Sequence, residues 1–186
     1  MDFEEGYYTV QSGNQVVFFS QNGDGQSPHD FEPRGVEAAG LKIHRTGAAT
    51  ALTHRAAPSI CTFVEEFIFF SGGFDPDTLE PIDSVDIYDV HTDRWPTKAP
   101  CLNQARASHS SCTLGNMLYV LCGRQKNRLL NSIECIDAQQ LVAQRKTCPA
   151  PQWTLIEIDP TVFKPRVYEL VAPLNSQELV ILGGQG

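Results

Sequence analysis

Basic residues are scarce in this sequence of 186 residues, which holds 14 lysines and arginines against 22 aspartates and glutamates and has a formal net charge of −8. Nucleic-acid backbones and anionic membranes both attract basic surfaces, so the shortage argues against either as a partner. Protein and peptide partners stay open, including basic ones, because an acidic surface attracts positive charge.

Long apolar runs are also missing. No run approaches the roughly 20 residues that a membrane-spanning helix needs. The acidic start, MDFEEGYYTV, lacks the positive and then apolar pattern of a signal peptide. We therefore expect a soluble, cytoplasmic protein. Its six cysteines include no C-x-x-C pair, and in that compartment reduced thiols are expected rather than a disulfide framework.

Motifs of catalysis and metal binding are absent as well. The sequence has no H-E-x-x-H, no G-x-S-x-G and no phosphate loop. His109 and Cys112 have the spacing of two zinc ligands, but a structural site needs four and no second pair matches. The acidic stretch 75–80 lacks the alternating carboxylates and the glycine of a calcium loop. The sequence predicts a chain that is not an enzyme and holds no metal or cofactor.

What the sequence does contain is a repeat. Four short apolar stretches end in small residues, at intervals of about 50 residues and then about 61 before the last: 16–20, 68–73, 118–123 and 179–184. A polar turn and another apolar stretch precede each one, which is a hairpin pattern. Four strands in about fifty residues, with almost no helical periodicity, predict the blade of a β-propeller.

The residues at fixed places in this repeat resemble the kelch-repeat family. The family pattern is an arginine before the first strand, a double glycine after the second, and a tyrosine followed by a tryptophan. One repeat matches fully, through Arg55, Gly72, Gly73, Tyr88 and Trp95. A second matches through Arg106, Gly123 and Trp153, with Cys122 in place of the first glycine and Ile136 in place of the tyrosine. A third begins with Arg166, Gly183 and Gly184.

The resemblance implies an all-β fold, a kelch-type β-propeller. It is expected to be incomplete, with about three to four four-stranded blades and a degenerate first blade. The predicted parts are an N-terminal strand pair with a degenerate half-blade (1–54), two blades (55–105 and 106–165) and the first half of a truncated blade (166–186). Propellers close with about 4–8 blades. We therefore expect a fragment, a truncated gene model, or a chain that closes its ring by pairing with another.

The resemblance also implies roles for the repeated side chains. Tyr88 and Trp95 are expected to pack between blades, and the arginines to hold backbone carbonyls between blades. The loop after the glycine pair and the position two residues after each arginine are expected to line one mouth of the ring. The partner-binding candidates at these places are Phe74, Asp75, Ser108, Arg124, Lys126 and Tyr168.

The function implied is a non-catalytic protein–protein interaction module that binds a protein or peptide, as a scaffold or a substrate adaptor does. An alternative is a propeller enzyme, or a binder of sugars or other small ligands, whose site needs blades missing from this chain. A further alternative is a fragment with no stable function of its own.

Overall fold

The computed structural model describes residues 7–12, 15–20, 42–45, 54–95, 99–143 and 150–186. The first strands of the chain are β1 (Tyr7–Ser12), β2 (Gln15–Ser20) and β3 (Lys42–Arg45). β1 and β2 form an antiparallel hairpin, whereas β3 runs parallel to β2. Most of the predicted degenerate half-blade lies outside the described residues.

The next sheet is antiparallel and consists of β4 (Ser59–Phe63), β5 (Phe67–Ser71) and β6 (Val85–Asp89), in that order. After β6 the chain turns back, and Asp89 and Arg94 form a bridge that brings Trp95 towards the sheet. The Trp95 ring lies 5.2 Å from that of Tyr88 and 5.4 Å from that of Phe70, measured between centroids. Aromatic rings at these distances stabilise each other beyond the area they bury.

The following repeat forms a complete four-stranded blade. Its elements in chain order are β7 (Ser110–Leu114), β8 (Met117–Leu121), β9 (Arg124–Gln125), β10 (Arg128–Leu129), β11 (Ser132–Asp137), α1 (Ala138–Val142) and β12 (Thr154–Glu157). The sheet order is β12-β11-β8-β7, and β9 and β10 form a separate small hairpin. The helix was not predicted; Asp137 caps it by accepting a hydrogen bond from the Gln140 N–H at 2.9 Å.

The described chain ends in an antiparallel hairpin of β13 (Val167–Pro173) and β14 (Leu179–Gln185). The first strands of successive repeats, β4, β7 and β13, lie side by side. The Thr113 hydroxyl donates to the Thr62 carbonyl at 2.8 Å, and the Ser110 hydroxyl donates to the Glu169 carbonyl. The sheets are thus arranged around their first strands, as blades are in a propeller.

The hydrophobic core is divided among the spaces between neighbouring sheets. Val10 and Val17 pack with Ile68, Phe70 and Tyr88 in one cluster. A larger cluster joins the sheet of β4–β6 to the four-stranded blade, and includes Phe63, Phe69, Ile87, Leu118, Val120, Leu141 and Trp153. A third joins that blade to the last hairpin through Cys112, Leu121, Cys122 and Val171. Full burial of one such leucine or phenylalanine contributes about 1.5–3 kcal/mol, so each blade is stabilised mainly by its neighbours.

The described residues therefore form an incomplete all-β propeller that is not closed, and the predicted fold class is confirmed. The predicted division at 54, 105 and 165 stays a prediction. Across the described ranges, no helix is both long enough and apolar enough to cross a bilayer.

Candidate protein-binding face

The glycine pairs bring the chain to one end of the blades, which we call the loop face. Gly72 and Gly73 have φ angles of 52° and 100°, in the region that favours glycine. A Cβ on Gly73 would lie 2.5 Å from the Ala56 carbonyl oxygen, and one on Gly72 would clash with the Arg106 carbonyl. The Gly73 N–H donates to that same Arg106 carbonyl at 2.9 Å. Glycine is needed here because the backbone of the next repeat comes so close.

A buried arginine fixes the start of the first strand at this end. The Arg55 guanidinium donates to the carbonyl oxygens of Phe70, Gly72 and Ser84 at 3.0, 3.1 and 3.1 Å. Its Nη2 lies 2.5 Å from the Asp86 carboxylate. The three carbonyls belong to the arginine's own repeat, so the expected contact with carbonyls between blades is not what these three bonds make.

The same arrangement recurs one repeat later. Arg106 donates to the Cys122 carbonyl at 2.9 Å, and its Nη2 lies 2.6 Å from the Glu134 carboxylate. Glu134 also accepts the backbone N–H groups of Asn103 and Gln104 at 2.6 and 3.1 Å. Burial lowers the pKa of Arg106, and the adjacent Glu134 opposes that change. The acidic partners were missed, although Asp86 and Glu134 occupy the same place in SVDIYD and SIECID.

The loop that follows the first glycine pair is held by its own backbone. Phe74 pairs with Ala56 through backbone hydrogen bonds of 2.7 and 2.8 Å. The Asp75 carboxylate accepts the N–H groups of Asp77 and Thr78 at 2.9 and 2.8 Å, which lowers the pKa of Asp75. Asp75 therefore shapes the loop, and its Oδ1 is occupied by this turn.

The corresponding loop of the next repeat is the β9–β10 hairpin, which lies beside the first. Arg124 pairs with Ala107 through hydrogen bonds of 2.9 and 3.0 Å. Its guanidinium carbon lies 5.2 Å from the centroid of the Phe74 ring, a cation–π contact. At the tip of the hairpin, the Lys126 ammonium lies 3.6 Å from the Glu80 carboxylate.

These two loops enclose an open cleft of about 290 Å³ on the loop face. The cleft is lined by Phe74, Leu79, Glu80, Pro81, Arg124, Lys126 and Asn127. Three predicted candidates, Phe74, Arg124 and Lys126, thus meet in one place. The other lining residues were not predicted from the sequence, because strand patterns do not tell which loop positions face each other.

The remaining candidates lie on the same face, beyond the cleft. Ser108 follows Ala107, the backbone partner of Arg124, and its carbonyl accepts the Tyr168 N–H at 3.1 Å. Ser108 and Tyr168 each lie two residues after a repeat arginine, as Ala57 does. The φ angles of Ala57, Ser108 and Tyr168 are 47°, 54° and 60°, so three repeats share one unusual backbone conformation. Tyr168 is 67% exposed.

His109 and Cys112, which have the spacing of two zinc ligands, do not form a metal site in the structure. His109 is buried between blades, where its Nε2 lies 3.0 Å from the Ser71 hydroxyl. Cys112 packs in the apolar cluster next to the last hairpin, and burial raises the pKa of its thiol to about 11. Among the described residues, no group of three or more histidines, cysteines and carboxylates could hold a metal ion.

Comparisons with known proteins agree with this geometry. Residues 105–140 match the family model of the Kelch motif. Kelch-like protein 23 from Homo sapiens is 37% identical over 70 residues, which is 38% of this chain and 12% of that protein. Kelch-like protein 36 from Bos taurus is 32% identical over 95 residues, or 51% of this chain and 15% of that protein. The matched part is thus a small share of each relative's length.

Sheets arranged around their first strands, with the buried arginines Arg55 and Arg106 at the start of two successive repeats, define an incomplete repeat propeller. The match of residues 105–140 to the Kelch motif and the partial similarity to two kelch-like proteins support kelch repeats as the units of this propeller.

Proposed function

We propose that this chain is a non-catalytic protein-binding module, and that its loop face binds a peptide segment of a partner in the cleft between loop 74–81 and hairpin 124–129. One observation carries the proposal. Side chains from two separate repeats, Phe74 from one and Arg124 with Lys126 from the next, meet in this cleft. A concave site with an aromatic ring, aliphatic side chains and a few charged groups suits an extended peptide.

The exposed side chains on this face support the same proposal. Leu79, Lys126 and Tyr168 are all exposed. Tyrosine and arginine are also the residue types that anchor interfaces.

A scaffold or substrate-adaptor role in the cytoplasm is the form of the function that we propose. A rigid face of this kind binds a partner and holds it in place, while other parts of a longer protein act on that partner. The last hairpin exposes Leu170 and Leu182 by 62% and 54%. These apolar side chains support the proposal that a further blade, from missing chain or from another chain, packs on the β13–β14 sheet.

The test is a selection of binding peptides from a random 12-residue display library, followed by affinity measurements on single variants. Leu79→Ala shortens an apolar side chain that lines the cleft and is 51% exposed. Leu174→Ala is a matched control, because Leu174 is 65% exposed and lies outside the cleft, after the end of β13. We expect the first change to weaken the selected peptides at least tenfold and the second less than twofold. Failure to enrich any peptide, or equal losses in both variants, would contradict the proposal.

A further inference from the structure

We infer that the outer edge of the four-stranded blade, strand β12, binds an extended strand of another protein by antiparallel β-sheet addition. The bound strand carries a basic residue followed by two apolar residues. This surface lies on a different element from the cleft of the loop face, so the inference does not depend on the proposed function.

The backbone of β12 is paired on one side only. β12 is the last strand of its sheet and pairs with β11, and the Ile158 N–H donates to the Asn131 carbonyl at 2.8 Å on that side. Backbone groups of an antiparallel strand alternate between its two sides, so those of Ile156 also face β11, whereas those of Leu155 and Glu157 face away. Among the described residues, these outward N–H and C=O groups have no hydrogen-bond partner, and they can pair with an added strand.

Two apolar side chains of this edge are exposed. Leu155 and Ile156 are 37% and 45% exposed. Because they are consecutive residues of a strand, they lie on opposite faces of the sheet, Leu155 beside Glu134 and Ile156 beside Ile133. An added strand would therefore cover apolar surface on both faces of the sheet, in addition to forming backbone hydrogen bonds.

The edge also lacks the residues that usually prevent strand addition. Natural edge strands are protected by prolines, lysines and bulges. β12 has the sequence TLIE, with no proline and no lysine. In the preceding repeat, the five residues after Trp95 are PTKAP, whereas the five after Trp153 are TLIEI. Two prolines and a lysine are thus present in one repeat and absent from the next, which leaves β12 open to a further strand.

The charge of the edge favours a basic strand. Glu157 and Asp159 are exposed, and residues 150–163 include no lysine, arginine or histidine. The Glu157 Oε1 accepts a hydrogen bond from the Gln104 side chain at 3.3 Å, and its Oε2 has no partner among the described residues. A lysine or arginine opposite Glu157 would form a cross-strand ion pair. A second copy of this chain would instead bring together two molecules with a net charge of −8 each.

Antiparallel pairing determines the order of the partner's residues. β12 runs from Thr154 to Glu157, so a partner strand meets Glu157 first, then Ile156 and then Leu155. Read from its own N-terminus, the partner therefore presents a basic residue and then two apolar residues. The basic residue and the second apolar residue have backbone groups that face β12, because they lie opposite Glu157 and Leu155.

The experiment uses a fluorescein-labelled peptide of ten residues, with lysine, isoleucine, valine and threonine at its centre in that order and serines and glycines on either side. One derivative is N-methylated at the lysine and valine amides, which would face β12. The matched derivative is N-methylated at the isoleucine and threonine amides, which would face away. Fluorescence anisotropy gives the affinity of each peptide for the full chain.

Three variants of the chain complete the design. Leu155→Pro removes one outward N–H and leaves the bonds to β11 in place. Glu157→Lys reverses the charge opposite the peptide lysine. Leu79→Ala, in the cleft of the loop face, is the control. Sedimentation of each variant without peptide gives its oligomeric state.

We expect the unmethylated peptide to bind with a Kd below about 500 µM. Methylation of the lysine and valine amides should weaken binding at least tenfold, and methylation of the other two amides less than threefold. Leu155→Pro and Glu157→Lys should each weaken binding at least fivefold, and Leu79→Ala less than twofold. The methylated peptides and Glu157→Lys decide the question if Leu155→Pro does not fold.

Three results would overturn the inference: no binding in this range, equal losses from the two methylation patterns, or a loss in Leu79→Ala as large as that in Glu157→Lys. A wild-type chain that dimerises, and becomes monomeric in Glu157→Lys or Leu155→Pro, would overturn it in favour of a second copy at this edge. A display library that yields no peptide for the loop face would contradict the proposed function and leave binding at β12 unaffected.

Discussion

Arg106 and Glu134 form an ion pair of 2.6 Å in which both side chains are completely buried. The pair joins the start of the first strand of a blade to its third strand. Arg55 and Asp86 form the same link one repeat earlier. Because both arginines and Glu134 also hydrogen-bond backbone groups, the pairs fix the geometry from which the loops of the loop face emerge.

Breaking this pair should strongly destabilise the blade. Glu134→Gln leaves the guanidinium of Arg106 buried without its counter-charge, and removal of one partner of a buried pair costs about 3–5 kcal/mol. Denaturant unfolding measures the free energy of unfolding. Glu65→Gln, in an exposed turn, is the control and should stay within about 0.5 kcal/mol of wild type. A loss below about 1 kcal/mol for Glu134→Gln would contradict a structural role for the pair.

Cys122 stands where the other repeats carry Gly72 and Gly183, and its φ is 56°. In that conformation glycine is favoured over alanine by about 1 kcal/mol, because alanine keeps the Cβ strain. We therefore expect Cys122→Gly to be more stable than Cys122→Ala in thermal melts. Cys135, in the regular strand β11, is the control and should show the reverse order. The same order at both positions would contradict the strained conformation of Cys122.

His109 should make the chain sensitive to acid. Burial, followed by the positive charges of Arg106 and Arg55, lowers its pKa from 6.5 to about 3. Below pH 6.5 the His109 side chain is therefore protonated in the unfolded chain and still neutral in the folded chain. The free energy of unfolding falls as the pH drops, by up to about 1.4 kcal/mol per pH unit. Melts from pH 7 to pH 4 should show a shallower fall for His109→Gln than for wild type.

The exposed His91 provides the control for this effect. His91→Gln makes the same substitution at an exposed position and should change the free energy of unfolding at pH 7 by less than about 0.5 kcal/mol. An identical slope in His109→Gln and wild type would show that His109 is accessible to protons in the folded chain.

Glu169 should act in the opposite direction. It is 5% exposed, neither of its carboxylate oxygens has a hydrogen-bond donor among the described residues, and burial raises its pKa above the ordinary 4.5. The folded chain thus binds the Glu169 proton more tightly than the unfolded chain does. The stability that this provides is present below pH 4.5 and is lost as the pH rises through the raised pKa.

Glu169→Gln keeps the shape of the side chain and removes the charge. In melts from pH 4 to pH 8, the variant should match wild type at the acidic end and become the more stable protein as the pH rises. A less stable variant at pH 8 would mean that the carboxylate is held by a donor.

The blade repeat and the fold class could be predicted from the sequence, because the residue patterns that indicate them are local. The glycine pairs, the arginines and the alternation in SVDIYD each report on one strand or turn, and these repeat at blade intervals. The helix α1 gave no signal, since five residues are too few for a 3.6-residue period to be visible. The strands β9 and β10 have two residues each and follow no alternation.

The candidate site could be predicted only in part. The repeat register placed Phe74 and Arg124 at equivalent loops, so both were named from the sequence. The cleft depends on how one loop faces the next, and Leu79 and Pro81 join it through that tertiary contact. The binding role of these residues stays a prediction until a ligand is measured.

Hydrogen–deuterium exchange on the chain, with and without a selected peptide, is the measurement that locates the binding surface. We expect slower exchange in loop 74–82, in hairpin 124–130 and around Tyr168, where the loop face lies. The turns at the opposite end of the blades, 64–66, 115–116 and 174–178, serve as the internal control and should be unchanged. Protection confined to those turns would contradict the assignment of peptide binding to the loop face.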